Sequence, residues 1–592
     1  MKRRPIKWKT ALSAATALTM LLGLTACGTE NKNSSADASA DAGEASTVVQ
    51  RRVSESDGPL EPYDEPVTIR VGRTINSDFI YYGGEDVDNN TWTKLYKDKL
   101  NITIDNMWVV DQSQESTKMN AAIASGEYPD IFTVNTSDYS KYASTGVIAD
   151  VTDLYDSYLS DMGRAALASD DEYALNAASI DGKLYGIPRV DSPALMFLFV
   201  RQDWLDNLGL DVPKTIEEFT AVAEAFTNGD PDQNGQDDTY ALALDGVDIS
   251  NWWGGVEPFF EMFNAYPLAY NYETNLSLID DGTGRLQWGG DTDRMQEALA
   301  LLHDFYNKGY VAQDFGTHDY TKAMADISTG KAGMFFAPDF GAMTIATDFQ
   351  TNIFTGLLPK NASITATPLP GEKDFGKTFM PSSFSQIAVV SAKCEHPEAL
   401  FKLYNIGMEM CAYQDDQELF NMYNGDGINY SGWKLAVIDP LKPMKNYDTY
   451  RKVSEAVYGD GDVKNLNAEQ VLTYDSIMNT YLGIDTVTEE NLAQYAVGYG
   501  NWHVFANPVG GYAAADQVYR TEAYTSAGYG AGATETMAAK SATLTDHIKT
   551  SIIKIAYGEE TPESWAKVIE NWHTLGGNDV LHDANAWYQR NE

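Results

Sequence analysis

The 592-residue chain reads as an α/β protein of more than one domain. Three observations carry that reading. Strand-like and helix-like segments alternate from residue 64 onward. Hydrophobic residues make up 43% of the chain, with 12 Trp and 35 Tyr, as in a folded globular body. The ordered part, about 530 residues, exceeds what a single core organises.

The first 26 residues stand apart. Lys2, Arg3, Arg4, Lys7 and Lys9 precede an apolar, small-residue run from Ala11 to Ala26 that contains no acid, the pattern of a secretory signal. Its exit, Leu24-Thr25-Ala26-Cys27-Gly28, resembles a bacterial lipobox. That resemblance implies cleavage before Cys27 and a diacylglyceryl anchor on its sulfur, with palmitate as the typical acyl chain. Residues 27–63 are rich in Ser, Ala, Asp, Glu and Asn and cannot bury enough apolar surface to fold. As a flexible tether of that length they would reach roughly 30–35 Å. The expected address is therefore the extracellular face of the cytoplasmic membrane. No later stretch is apolar enough to span a bilayer.

Losing five basic residues with the signal takes the net charge from −43 to about −48. Such a chain has no basic surplus with which to bind nucleic acid or anionic lipid. Beyond Cys27 only Cys394 and Cys411 remain. A helix starting at Pro397 places Cys411 about 21 Å along its axis from that start, too far for a disulfide, so two free thiols are expected.

Val67–Val71 alternates like a strand, Thr91–Lys99 reads as a helix, and Ile102–Trp108 as a second strand. Lys118–Ser125 is a short amphipathic helix stopped by Gly126. Tyr128–Val134 is a buried strand, and Ala194–Val200 a continuous apolar run. This spacing predicts a parallel α/β sheet with ligands beyond the strand C-termini. Thr215 and Glu218 form a capping box, followed by an apolar helix face of Ile216, Phe219, Val222, Ala223 and Phe226. Trp565 and Trp572, seven apart, belong to one buried helix face.

After that capped helix comes Asp230-Pro-Asp232-Gln-Asn234-Gly235-Gln236-Asp-Asp238. Oxygen ligands at positions 1, 3, 5 and 9, glycine at 6 and a carbonyl at 7 suit a hard cation. Asp230, Asp232, Asn234, Gln236 and Asp238 are the candidate ligands of a structural Ca²⁺. The twelfth position, Ala241, lacks the usual glutamate.

Tyr128-Pro-Asp-Ile, Leu184-Tyr-Gly-Ile-Pro, Arg201-Gln-Asp-Trp-Leu-Asp-Asn-Leu-Gly-Leu, Val212-Pro-Lys-Thr and the Asp230 loop follow one another in an order that resembles the extracellular solute-binding proteins of family 1. The likeness is to the lipoprotein branch that serves oligosaccharide ABC importers of Gram-positive bacteria. It continues through Gly330–Phe336, Val390–Glu398 and Ser564–Trp572. The family's comparable loop often carries an acid just after position 9; here that place is Thr239. The resemblance implies a two-lobe periplasmic-binding-protein-like fold of type II, closing on ligand in a cleft. Lobe one would be 64–192 with 380–426, and lobe two 193–379 with 427–592, joined by crossings near 190–195, 375–382 and 425–432. It further implies a monomer without catalytic groups that captures a carbohydrate and delivers it to ABC permease subunits.

A pyranose offers apolar C–H faces and a rim of hydroxyls, so aromatic platforms and polar partners are the side chains to look for. Tyr82, Trp252, Trp253, Tyr430, Trp433 and Trp502 lie in polar or glycine-marked segments. Trp252 and Trp253, if extended, point opposite ways. Asp339 and Phe340 follow the strand Met334–Phe336, where the family often meets sugar. The alternatives are a non-sugar solute such as a peptide, or an extracellular glycoside hydrolase with two carboxylates roughly 5–10 Å apart. No Gly-x-Ser-x-Gly or His-Glu-x-x-His motif occurs.

Overall fold

In a computed structural model, the chain is described over residues 58–591 apart from 78, 82, 112–113, 169–172, 181, 191–192, 194, 269–275, 382–383, 426–430, 460 and 531–532. The signal, most of the tether, Cys27, Tyr82 and Tyr430 lie outside the described residues. In chain order, β1 (Val67–Thr74), α1 (Thr91–Leu100), β2 (Ile102–Val110), α2 (Glu115–Ser125), β3 (Ile131–Asn135) and β4 (Gly186–Val190) build the first lobe. The chain then crosses into β5 (Met196–Arg201), α3 (Ile216–Asn228), β6 (Tyr240–Ala243), β7 (Ala332–Pro338), α4 (Gly341–Thr355) and β8 (Ile364–Thr367). It returns as β9 (Phe384–Val390), α5 (Ala399–Gly407) and α6 (Gln417–Asn424), and crosses again to α7 (Lys445–Tyr458), α8 (Ala468–Asp475), α9 (Leu492–Phe505), α10 (Glu535–Ala556) and α11 (Trp565–Trp572).

Each lobe has one main sheet, accompanied among the described residues by three two-stranded ladders. The first runs β2-β1-β3-β9-β4 and the second β8-β5-β7-β6. β2, β1 and β3 are parallel, while β9 runs antiparallel to both β3 and β4. The expected parallel α/β sheet is thus present with one reversed strand, and that strand is the segment returning from the second lobe. The crossing from β4 enters the second sheet at Met196. Antiparallel pairing of β5 with β7 sets Met196 opposite Pro338. One edge of the second sheet therefore faces the crossings.

Local sequence explains the element ends. Asn90 caps α1 in a reciprocal box with Thr93, and Gly126 ends α2 in the left-handed conformation at φ 77°. β3 begins at Ile131 rather than Tyr128, because Asp130 is spent accepting from the Arg70 guanidinium at 2.8 Å. β5 is apolar from Met196 to Val200 because both its faces are covered. Met196, Leu198 and Val200 enter one core of the second lobe, and Phe197 and Phe199 another. Trp565 and Trp572 lie wholly in the former, where Trp572 stacks on Trp288 at 4.6 Å. Leu435, Ala436 and Ile438 pack with the first-lobe core, so this stretch beyond residue 427 belongs by its contacts to lobe one. Cys394 and Cys411 are free thiols. Among the described residues no helix is long and apolar enough to cross a membrane.

Candidate functional site

The cleft is built from both lobes. A cavity of about 870 Å³ is walled on one side by Arg189, Phe420, Asn424 and Trp433 and on the other by Met343, Thr347, Gln494, Val497 and Asn501. A second, of about 500 Å³, opens at the C-terminal ends of β1, β3 and β4, lined by Thr74, Ile75, Asn76, Phe79, Thr133, Ile187 and Glu115. Arg189, Trp433, Asp439 and Pro440 line both, so the two spaces meet there. Trp433 is 38% exposed, with the Lys434 ammonium 5.5 Å from its ring centroid. One face of a large ring is thus left toward the cleft.

The polar groups of the cleft are held in place. Arg189 donates to the Asp439 carboxylate at 2.9 Å and to its backbone carbonyl at 3.2 Å, fixing the third crossing against β4. Lys445 pairs with Glu469 across the start of α7 and α8. Asn424 donates to the Met410 carbonyl at 2.7 Å, and Asn501 to the Ser476 hydroxyl at 2.8 Å. Burial pushes the Glu115 carboxyl up, and a hydrogen bond with the Thr74 side chain opposes it. Burial pushes the Cys411 thiol well up, making it a poor nucleophile at neutral pH. Asp439 and Glu469 are each tied to a cation.

The sequence-predicted aromatics are dispersed. Trp433 stands in the cleft. Trp252, Trp253 and Phe340 form one cluster on the second lobe, with ring centroids 6.1–6.2 Å apart, at the sheet edge that faces the crossings. They line neither cleft cavity. Residues 252–254 form a turn, pinned by the Trp253 amide donating to the Asn251 side chain at 3.1 Å, so the two indoles do not diverge as an extended pair would. Asp339 is 2% exposed. Trp502 lines a separate cavity. Arg189, Phe420, Asn424 and Asn501 were not singled out from the sequence. Their convergence depends on two crossings and a helix far along the chain.

The Asp230 loop has the shape of a cation loop. Asp230 and Gln233 adopt left-handed backbone at φ 50° and 57°, and Gly235 at φ 77°. The Gly235 amide donates to both Asp230 carboxylate oxygens, and the Asn234 amide bridges Asp232 and Asp238 at 2.8 and 3.2 Å. Burial and the neighbouring Asp230 and Asp238 carboxylates raise the Asp232 carboxyl. Oxygen donors are therefore gathered on one turn, their carboxylates accepting from the Gly235 and Asn234 N–H groups, a donor set that suits a hard cation. Among the described residues no three acidic, His or Cys side chains are drawn close enough to hold a metal as they stand. The Thr239 hydroxyl donates to the Phe226 carbonyl at 2.9 Å, back to α3 and away from the loop.

Comparison with known proteins agrees with this architecture. The chain is 31% identical over 248 residues to the polygalacturonan/rhamnogalacturonan-binding protein YtcQ of Bacillus subtilis, covering 41% of this chain and 44% of that one. It is 27% identical over 352 residues to the fructooligosaccharide ABC transporter substrate-binding protein FusA of Streptococcus pneumoniae, covering 57% and 60%. The alignments thus span about half the length of these relatives. A crystal structure of an extracellular solute-binding protein from Bifidobacterium longum subsp. infantis superposes with a TM-score of 0.58, covering 89% of this chain and 98% of that one at 16% identity. It shares the two-lobe fold. The profile described as bacterial extracellular solute-binding protein matches residues 77–405, more than half of the sequence, and the chain belongs to that family.

Proposed function

We propose that this protein is the solute-capturing component of an ABC importer, that its cargo is an oligosaccharide, and that it performs no covalent chemistry. The observation that carries the reading is a cavity walled by both lobes, with a second space on the first lobe that shares four of its lining residues. Their volumes of about 870 and 500 Å³ suit several linked rings. Trp433 at their junction supplies a platform for a C–H face, while Asn424, Gln494 and Asn501 supply planar amides for hydroxyls. The Trp252, Trp253, Asp339 and Phe340 segment lines neither cavity in this arrangement and meets ligand only as the lobes close. The FusA and YtcQ relatives are named for a fructooligosaccharide and for polygalacturonan and rhamnogalacturonan, which supports a carbohydrate cargo. The names of both relatives describe binding or transport, which supports capture over hydrolysis.

Cys27 carries the lipid anchor, and the tether lets the lobes reach permease subunits from the outer membrane face. Asp230, Asp232, Asn234, Asp238 and the Gln236 carbonyl hold a structural Ca²⁺ that rigidifies the turn after α3.

Calorimetric titration of the purified protein with a panel of oligosaccharides and oligopeptides tests the cargo. Tight binding of one glycan class, recovered uncleaved, is the expected result. A peptide ligand, or release of shorter sugars, would overturn the reading.

A further inference from the structure

The second lobe contains a cavity that the cleft does not explain. It measures about 310 Å³ and is lined by Gln202 at the C-terminal end of β5 and by Ser363–Thr365 at the start of β8. The crossing reaches β5 at the other end, Met196. A six-residue strand is roughly 17 Å long, so this cavity lies a strand's length from the cleft edge. The two sites share no lining residue. α9 stands between them, with Ala496, Val497 and Gly500 toward the cleft and Tyr495, Tyr499 and Trp502 toward the outer cavity.

Those three aromatics fall at i, i+4 and i+7 and form one face of the helix. Tyr481 completes the wall, with its ring centroid 5.1 Å from those of both Tyr495 and Trp502. It closes a π-helical turn, Ser476–Tyr481, a distortion frequent where a helix must present side chains to a ligand.

Two polar groups among these rings lack partners. The Gln350 side chain is 6% exposed, lines the cavity, and makes no hydrogen bond among the described residues. Tyr499 is 5% exposed, and its hydroxyl likewise has no partner among the described residues. Neither group is fully sealed from solvent, so water or a ligand in the cavity is the partner open to it. An amide with two donors and an acceptor, set beside flat aromatic faces, matches a ligand bearing both C–H faces and hydroxyls. A hydrocarbon would leave the amide unpaired. The lining contains no carboxylate and one cation, Lys360, so a multiply charged ligand is not favoured. The volume lies at the lower bound for small-molecule sites and suits one ring, not a chain.

We propose that this cavity is a second ligand site, on the flank of the second lobe, for a single neutral pyranose-sized polyol ring. It also accounts for Trp502, a sequence-predicted sugar platform that the cleft does not use. The site is independent of the oligosaccharide reading of the cleft.

The test is saturation-transfer NMR on the intact protein with methyl glucoside, methyl galactoside and inositol as probes, at millimolar concentration. Gln350→Leu keeps the side-chain volume and removes the amide; Trp433→Ala impairs the cleft alone. At least one probe should bind wild type and Trp433→Ala equally, and about tenfold more weakly to Gln350→Leu. Tyr495→Leu, at the partly open rim, should weaken the same probe. Oligosaccharide binding in the cleft should be unchanged in Gln350→Leu, so failure of one site is read separately from failure of the other. No binding by any probe, or binding lost in Trp433→Ala and retained in Gln350→Leu, would overturn the proposal.

Discussion

Trp433 carries the residue-scale prediction for the proposed cleft. It lines both cavities and is 38% exposed, as the platform role proposed for it requires. Trp433→Ala is expected to weaken the bound oligosaccharide by about 2 kcal/mol, roughly thirtyfold, by calorimetry, with the melting temperature nearly unchanged. His503 behaves differently. It is wholly buried on α9, its Nε2 3.0 Å from the Ile364 carbonyl, and burial holds its pKa down at about 4. The folded protein therefore keeps this imidazole neutral while the unfolded chain protonates it below about 6.5. Its contribution is complete above that pH and is lost as pH falls toward 4, by up to about 1.4 kcal/mol per unit. Denaturant melts of wild type and His503→Gln across that range should show the wild-type slope flattened in the variant; equal slopes would reject the assignment.

Elements were legible where the signal was local. The Thr215–Glu218 capping box starts α3 with both reciprocal bonds formed, and Phe219, Val222, Ala223 and Phe226 are its buried face. Gly126 stops α2 because a left-handed terminus suits glycine. α2 begins three residues earlier than its apolar pattern suggests, since Glu115 is drawn down onto the end of β1 near Thr74. The loop after α3 is a prediction at this scale. Removing Ca²⁺ with chelator should lower the melting temperature, with a linkage contribution of about 2.7 kcal/mol at a hundredfold excess over Kd. Asp232→Asn should abolish the chelator effect, and a chelator-insensitive wild type would leave only a polar turn. Trp252 and Trp253 show the limit of local reading. The extended register expected for them gave way to a turn, because the Asn251 side chain captures the Trp253 amide.

At the scale of the molecule, the crossings decide function. β4 and β9 join the first sheet to the second, and the Arg189–Asp439 pair braces the third crossing. Ligand bridging the walls should favour a closed arrangement. The radius of gyration, near the ~24 Å expected for a compact body of this length, should then fall on saturation in X-ray scattering; an unchanged value would rule out closure. By itself the sequence determined the α/β class, the capped α3, the oxygen-rich loop, the buried Trp565–Trp572 face and the family likeness. The cap, the loop and the tryptophan face rest on residues within one or two turns of each other, where periodicity and capping act, and the class and the likeness rest on the order of such local segments along the chain. Only the tertiary structure decided which aromatics share a space, which lobe core takes Leu435–Ile438, and that Trp502 faces an outer cavity. Those outcomes depend on contacts between segments hundreds of residues apart, and burial there is settled by the shape of the partner surface, which no local pattern encodes.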